Sequence, residues 1–172
     1  VNISALHLVG DGLAGLLQSV LGQNGLDARL LTLEITESVE LDDWDRVRKA
    51  LFELRKLGCR IAIDDFGTGY SSLAYLRAIA ADELKIDKSL IDEVDTSDQA
   101  CFIVDAVMDL AHSLDLTVVV EGVERKAQSD VLRSMGCQFV QGYYYGKPLP
   151  AAEALAEAMN SGDDARRTVT LF

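Results

Sequence analysis

The chain has 172 residues, of which 49% are hydrophobic and 26% are charged, and this composition is typical of one globular domain with a sizeable core. Its formal net charge of −12 disfavours nonspecific binding to nucleic acid or to an anionic membrane, because either polyanion would be repelled. We therefore expect no DNA partner, and an anionic ligand would need metal ions to bind.

The cysteine pattern and the absence of targeting signals indicate the compartment. Cys59, Cys101 and Cys137 are widely spaced without a CxxC pair, which predicts small hydrophobic side chains in a reducing environment. No leader sequence opens the chain, and no apolar run approaches the roughly 20 residues that span a bilayer. The expectation is a cytoplasmic protein without a membrane segment. Because the chain begins without Met inside a strand-like run, we also expect residues upstream.

Six short β-branched or apolar runs predict strands. In chain order they are "VNIS" (1–4), "LLTLEIT" (30–36), "RIAID" (60–64), "ELKID" (83–87), "TVVVEGV" (117–123) and "FVQGYYYG" (139–146). Several of them are apolar at both odd and even positions, which is typical of a parallel sheet covered on both faces. The sequence therefore predicts an α/β fold.

Helical spacing of apolar residues lies between most of these runs. Asp42 and Asp43 sit where the cap and first turn of a helix belong, and Gly58 is its predicted end. The predicted core-facing residues are Trp44, Val47, Leu51 and Leu54 in this helix and Ile103, Val107, Leu110 and Leu114 in a later one. A last helix follows Pro150, so we expect residues 1–160 to form one domain and 161–172 a C-terminal tail.

One polar group stands near the carboxyl end of each strand run, where the apolar pattern does not require it. An open sheet gathers its chemistry at one switch point, whereas a (β/α)8 barrel brings every strand end to one mouth. The ring favours a TIM-type barrel, incomplete here with about six of eight strands. The residues are Asn2, Glu34, Asp64 with Asp65, Lys85, Glu121 and Gln141.

The ring offers carboxylate and amide oxygens, which are the ligands that Mg²⁺ or Mn²⁺ prefers, and it contains no His or Cys to indicate zinc. Asp64 and Asp65 could contact two different ions, and paired ions clamp the oxygens of a phosphoryl transfer. Lys85, the cation of the ring, could orient or deprotonate an attacking water or stabilise phosphate charge. Glu37 could hold the glycine-rich loop that follows the aspartates.

Two alternatives remain open from the residues alone. A single acid at a strand end is often a solvated cap or the ion-pair partner of a lysine. Three acids at successive strand ends with a lysine also describe an enolase-type barrel, in which Mg²⁺ assists proton abstraction next to a carboxylate. Adjacent aspartates in a glycine loop are not required in that chemistry.

The motifs together resemble the EAL domain family of bacterial cyclic di-GMP phosphodiesterases. They are "VNIS", "LEITE", "IDDFGTGYSSL", "ELKID", "VEGVE" and "QGYYYGKPL", in that order, and the resemblance covers residues 1 to about 150. It implies a (β/α)8 barrel with one antiparallel strand, and hydrolysis of cyclic di-GMP to linear pGpG with two Mg²⁺ or Mn²⁺ ions.

The resemblance also implies a set of metal ligands. Asn2, Glu34 and Asp64 would bind the first metal ion, and Asp65 would face the second.

The remaining roles concern the water and the mouth of the barrel. Lys85 would position or activate the nucleophilic water, and Glu121 would support Lys85 or the second metal through water. Gln141 would close the far side of the site. Glu37 would anchor the loop 65–71, which in this family couples the site to dimerisation, so a homodimer is expected.

The sequence also departs from the family pattern. The signature Glu-Ala-Leu motif, whose glutamate is a metal ligand in the family, would precede Val1, and Val120 stands where alanine is usual. We therefore expect an active parent enzyme, with flanking sensory or GGDEF domains, and a weak or inactive chain by itself. A non-catalytic cyclic di-GMP receptor and a protein-interaction domain are the alternatives.

Overall fold

The computed structural model describes residues 1–10, 12–36, 44–69 and 73–160. This part of the chain contains five strands, eight α-helices and a 3-10 turn at Ala28–Leu30. The strands are β1 (Thr32–Thr36), β2 (Arg60–Phe66), β3 (Glu83–Ile86), β4 (Thr117–Val120) and β5 (Phe139–Val140). The helices are α1 (Ala5–Val9), α2 (Leu13–Asn24), α3 (Trp44–Leu57), α4 (Leu73–Ile79), α5 (Lys88–Ile91), α6 (Asp98–Ser113), α7 (Lys126–Ser134) and α8 (Ala151–Asn160).

The strands form one parallel sheet whose spatial order, β1-β2-β3-β4-β5, is their order in the chain. A doubly wound sheet reverses its strand order at a switch point, and the described strands show no such reversal. Successive parallel strands linked by helices instead form the wall of a barrel. The sheet therefore follows the barrel alternative of the two that the sequence offered.

The first and last predicted strands are shorter than expected. "VNIS" contributes only an isolated bridge, in which Asn2 pairs with Glu34, because Ser4 already caps α1. Six predicted strands thus become five strands and one bridge. The last run ends after Val140, where Gly142 packs against the loop that follows β4: a Cβ atom at Gly142 would lie 2.2 Å from the backbone nitrogen of Val123.

The core lies on both faces of the sheet, as predicted. Ile61, Ala62 and Ile63 are consecutive in β2 and all fully buried, so β2 is covered on both sides. In α3 the buried residues are Val47, Leu51 and Leu54, which confirms three residues of the predicted stripe, while the fourth, Trp44, is only partly buried against the core. Gly58 follows the helix with a φ of +102°.

The predicted stripe of α6 is wrong by one residue. The buried side chains are Val104, Met108 and Ala111, whereas Ile103 is 40% exposed. Both sets have the spacing of one helix face, so periodicity does not distinguish them, and the contact of α6 with β4 selects the second. The other predicted residues, Val107, Leu110 and Leu114, pack at the margin of the core.

The structure also describes the last predicted helix and the three cysteines. The helix after Pro150 is present as α8, and Cys59, Cys101 and Cys137 are free thiols, of which Cys59 is buried. Asp42, Asp43 and the tail 161–172 lie outside the described residues. Within the described part, every helix is too short or too polar to cross a membrane.

Candidate metal-binding active site

Lys85 in β3 brings together carboxylates from three other segments. Its Nζ lies 3.0 Å from Oε1 of Glu34, 2.9 Å from Oδ1 of Asp64 and 2.7 Å from Oε1 of Glu121. Only 8% of the Lys85 side chain is exposed. The predicted convergence of distant strand-end residues is therefore confirmed for these four.

The parallel register explains why they meet. Thr36 pairs with Asp64 across β1 and β2, and Ile86 pairs with Val120 across β3 and β4, so the carboxyl ends of the strands share one edge. Glu121 is the first residue beyond β4, and its amide donates to the carbonyl of Ile86. Polar side chains near these ends therefore face one mouth.

A bulge in β2 lets two adjacent aspartates reach the same site. Neighbouring residues in a regular strand point to opposite faces, but the register between β2 and β3 shifts between Ile63 and Phe66. Asp65 has a φ of +55°, in the left-handed region that aspartate tolerates better than most residues. The bulge thus allows Asp64 and Asp65 to contribute carboxylates to the same site.

Asp64, Asp65 and Glu121 form a group that fits a divalent cation. One carboxylate oxygen from each lies within 4.8 Å of the others. Oδ1 of Asp64 is fully buried and has the ion pair with Lys85, but no well-directed hydrogen bond among the described residues. Hard oxygen donors with spare lone pairs are the ligands of Mg²⁺, Mn²⁺ or Ca²⁺. We call Glu34, Asp64, Asp65, Lys85 and Glu121 the rim cluster.

The electrostatics of the rim cluster show an excess of negative charge. Burial raises the pKa of Asp65, and the neighbouring charges of Asp64 and Asp87 raise it further. Burial also raises the pKa of Glu121, an effect that Lys85 opposes. Burial lowers the pKa of Lys85, but its close contacts with the carboxylates of Glu121 and Asp64 outweigh burial and leave that pKa above the ordinary value. Without bound cations, Lys85 therefore stays charged in this arrangement.

The two predicted amide residues lie at opposite edges of the sheet. Asn2 lies beside Glu34, where the Ile3 amide donates to the Glu34 carbonyl over 2.9 Å. Gln141 follows β5, and its Nε2 donates a hydrogen bond to Oε1 of Glu121. Gln141 thus contacts the rim cluster directly through its side chain.

Part of the predicted loop lies beside the site. Glu37 and residues 70–72 are outside the described residues. At the start of the loop, the Thr68 hydroxyl donates to the Asp65 carbonyl over 2.9 Å, and a Cβ at Gly67 would lie 2.4 Å from Leu90. The first turn of the loop therefore packs closely against α5.

The structure adds three residues that the sequence reasoning did not select. Asp87 caps α5 and is electrostatically coupled to Asp65, and its place two residues after Lys85 in "ELKID" was a usable signal. Glu124 pairs with Lys88 over 2.5 Å. Gln128 is a fully buried amide behind the Glu121 loop. A single buried polar residue in a helix gives no sequence signal of its own.

A comparison with protein families decides the relationship. The sequence matches the family model described as "EAL domain" over residues 1–148, which is most of the chain. The chain belongs to the EAL domain family. The letters Glu-Ala-Leu do occur at residues 153–155, but they lie in α8 with Glu153 exposed, so they are not a strand-end motif.

Relatives and solved structures agree with this assignment. The chain is 42% identical over 156 residues to the "Bifunctional diguanylate cyclase/cyclic di-GMP phosphodiesterase MucR" of Pseudomonas aeruginosa, covering 91% of this chain and 23% of that protein. Of the first relatives found, it spans only between 19% and 26% of their length. It is also similar to the structure "PaMucR Phosphodiesterase, c-di-GMP complex", with 42% identity, a TM-score of 0.81 and coverage of 89% of this chain and 62% of that one.

Two further EAL structures bear on fold and metal. The EAL domain of Mycobacterium smegmatis DcpA aligns with a TM-score of 0.88 at 36% identity, over 97% of this chain and 73% of that one. The manganese and cy-diGMP complex of Klebsiella pneumoniae BlrP1 aligns with a TM-score of 0.77 at 34% identity, over 85% of this chain and 38% of that one. EAL structures are TIM-type barrels, so the five parallel strands here are part of such a barrel, as predicted.

Proposed function

We propose that this EAL domain, in its parent protein, hydrolyses one phosphodiester bond of cyclic di-GMP to give linear pGpG, using two Mg²⁺ or Mn²⁺ ions. The observation that supports this most directly is the rim cluster, in which Lys85 and carboxylates from three other chain segments surround one centre. The relatives that act on or bind cyclic di-GMP supply the substrate class.

We further propose roles for the ligand residues. Asp64 would bind the first ion together with Glu34 and Asn2, while Asp65 and Glu121 would serve the second. When bound, the ions supply Lewis-acid stabilisation of the charge that develops on the phosphate oxygens. The donor set and the excess negative charge of the rim cluster support this assignment.

The protein side chains supply orientation. Lys85 would hold the attacking water and the phosphate in place, and the position of its Nζ, within 3.0 Å of Glu34, Asp64 and Glu121, supports this role. Gln141 would fix the Glu121 carboxylate through their hydrogen bond. Glu37 would anchor the loop that begins at Asp65 and would link the site to a homodimer.

The setting is proposed from the relatives. The domain would occupy residues 1–160, with 161–172 as a tail, in a cytoplasmic signalling protein with sensory or GGDEF domains. Because the family's Glu-Ala-Leu glutamate has no counterpart at a described strand end, we propose that the chain by itself is weakly active or inactive. In metalloenzymes, loss of a residue that hydrogen-bonds to a metal ligand lowers metal affinity or activity by about 10–100-fold, and loss of a direct ligand is expected to lower it at least as much.

The test compares cyclic di-GMP hydrolysis by this chain with that by the same protein extended upstream to include the Glu-Ala-Leu strand. The expected result is rapid, EDTA-sensitive formation of pGpG by the longer protein and at least about 10-fold slower turnover by the chain. Equal turnover in both would contradict the role of the missing glutamate. Turnover that survives EDTA would contradict the metal mechanism.

Calorimetric titration of the longer protein with cyclic di-GMP and Ca²⁺ separates the alternatives. Tight binding without turnover in Mg²⁺ or Mn²⁺ would indicate a receptor. No binding at all would indicate a protein-interaction domain. The occurrence of a calcium and cy-diGMP complex of BlrP1 makes Ca²⁺ the suitable probe ion.

A further inference from the structure

Gln128 in α7 links three segments behind the rim cluster. Its side chain is fully buried, and Oε1 accepts hydrogen bonds from the amides of Glu124 and Arg125, each over 3.0 Å. Its Nε2 donates to the carbonyl of Ile91 at the end of α5 over 3.1 Å. One amide side chain therefore joins α7, α5 and the loop that leaves β4.

These contacts exceed what a helix cap requires. Gln128 occupies the third position of α7, where a glutamine side chain commonly accepts from the N-cap amide, here Arg125. The bonds to Glu124 and Ile91 lie outside the helix and reach across to other elements. Because a buried amide without partners would be costly, this placement fixes the distance between α7, the loop and α5.

The opposite side of the loop is held by the segment after β5. The amide of Val123 donates to the Gln141 carbonyl over 3.0 Å, and the amide of Tyr144 donates to the Val123 carbonyl over 3.0 Å. The amide of Glu121 donates to Ile86 over 2.9 Å. Residues 121–125 are therefore clamped between Gln128 on one side and residues 141–144 on the other.

Close packing leaves the loop little freedom to shift. A Cβ at Gly122 would lie 2.5 Å from Cβ of Lys88 in α5, so the loop backbone rests directly on the lysine stem. Lys88 in turn pairs with Glu124 at the end of the loop. Glu124 and Gly122 thus contact the same residue of α5, and Gly122 directly follows Glu121, whose carboxylate contacts Lys85.

We propose that Gln128 is a positioning residue that fixes residues 121–125 and, through them, the Glu121 carboxylate in the rim cluster. The catalytic consequence rests on the proposed phosphodiesterase function, but the mechanical link does not. The competing explanation is that Gln128 only caps α7.

Amide hydrogen exchange of this chain tests the mechanical link. In Gln128→Leu, exchange at Glu121 and Val123 should rise by about 10-fold or more relative to the amides of β3, because the loop loses its partners. Leu132→Ala is the matched control, since Leu132 is a fully buried residue of α7 without a bond to the loop. That variant should accelerate exchange in both regions without changing the ratio of the exchange rates of the loop amides to those of the β3 amides.

A second variant keeps the test decisive if Gln128→Leu fails to fold. Gln128→Glu retains an acceptor for Glu124 and Arg125 but has no amide donor for Ile91, so it should show an intermediate ratio. In the longer protein, Gln128→Leu should lower kcat for cyclic di-GMP by about 10-fold with little change in KM, and Leu132→Ala should not.

The outcomes separate the two proposals. If faster exchange is confined to Glu124 and Arg125, Gln128 is only a cap and the inference is wrong. If neither the longer protein nor its variants hydrolyse cyclic di-GMP, but the amides of Glu121 and Val123 still lose protection from exchange in Gln128→Leu, the positioning role is supported and the proposed function is wrong.

Discussion

The two ends of the parallel sheet handle charge in opposite ways. At the amino end of β3, Asp82 and Glu83 each have their own arginine: Arg55 pairs with Asp82 over 3.3 Å, and Arg60 pairs with Glu83 over 3.4 Å. At the carboxyl ends, three of the four acids of the rim cluster pair with one described ammonium group, that of Lys85, and the fourth, Asp65, lies beside Asp64 and Glu121.

This difference in charge pairing distinguishes an end of the sheet that contributes to stability from an end that is suited to function. Paired charges at the amino ends are balanced and partly solvated, which suits a structural role. The rim cluster is largely buried, converges on one centre and carries surplus negative charge, which supports the proposal that cations from outside the chain complete it. In a barrel, the carboxyl ends are the end at which active sites form.

The largest effect is expected for Lys85→Met. Removing the ammonium leaves Glu34, Asp64 and Glu121 without their shared partner, and breaking a buried ion pair costs about 3–5 kcal/mol of unfolding free energy. Urea denaturation without divalent ions measures this loss. Mn²⁺ should restore part of it.

Arg60→Met at the amino ends is the control for Lys85. Its pair with Glu83 is partly exposed, so the unfolding free energy should fall by no more than about 1 kcal/mol and should not respond to Mn²⁺. Equal losses in the two variants would remove the distinction between the two ends of the sheet.

A smaller effect is expected for Asp64→Asn, which keeps the side-chain size but removes one charge from the metal-binding group. Its Mn²⁺ affinity, measured by calorimetry, should fall by at least about 10–100-fold. Asp82→Asn changes an acid of the amino ends and should leave that affinity unchanged. If both substitutions weaken Mn²⁺ binding equally, the metal site lies elsewhere. If the unsubstituted chain binds no Mn²⁺, the rim cluster of this chain is not a metal site.

The smallest effect is a pH dependence at the amino ends. Burial raises the pKa of Glu83, and Arg60 only partly opposes it, so the charged form is less favourable in the folded state than in the unfolded one. Wild-type stability should therefore decline as pH rises through the folded pKa. Glu83→Gln should be more stable at pH 7 by less than about 1 kcal/mol.

The pH series supplies the check on that prediction. The difference between wild type and Glu83→Gln should vanish below the ordinary glutamate value of 4.5, where the carboxyl group is protonated in both states. A difference that is constant from pH 4 to pH 8 would show that the pKa of Glu83 is the same in both states. A wild type that gains stability relative to Glu83→Gln as pH rises would show that the arginine pair outweighs burial.

Much of the fold and the site could be predicted because each signal is local. The runs around Ile61 to Ile63 and the spacing of Val47, Leu51 and Leu54 identify β2 and α3 from chain order alone. Polar residues at strand ends stand out against apolar neighbours, so Glu34, Asp64, Lys85 and Glu121 were selected before any contact was known.

The errors arise where two local patterns are equally good. Ile103 and Val104 each begin a stripe with helical spacing in α6, and only packing against β4 distinguishes them. "VNIS" has strand composition, but the cap at Ser4 starts a helix before a strand can extend.

By itself, the sequence determined the family, the order of elements and the residue types gathered at the strand ends, because composition and spacing are properties of the chain. Only the tertiary structure decided that Lys85 is shared by three acids, that a bulge turns Asp65 toward the same centre as Asp64, and that Gln128 supports the Glu121 loop. These facts depend on register, a left-handed backbone angle and contacts between distant segments, none of which leaves a pattern along the chain.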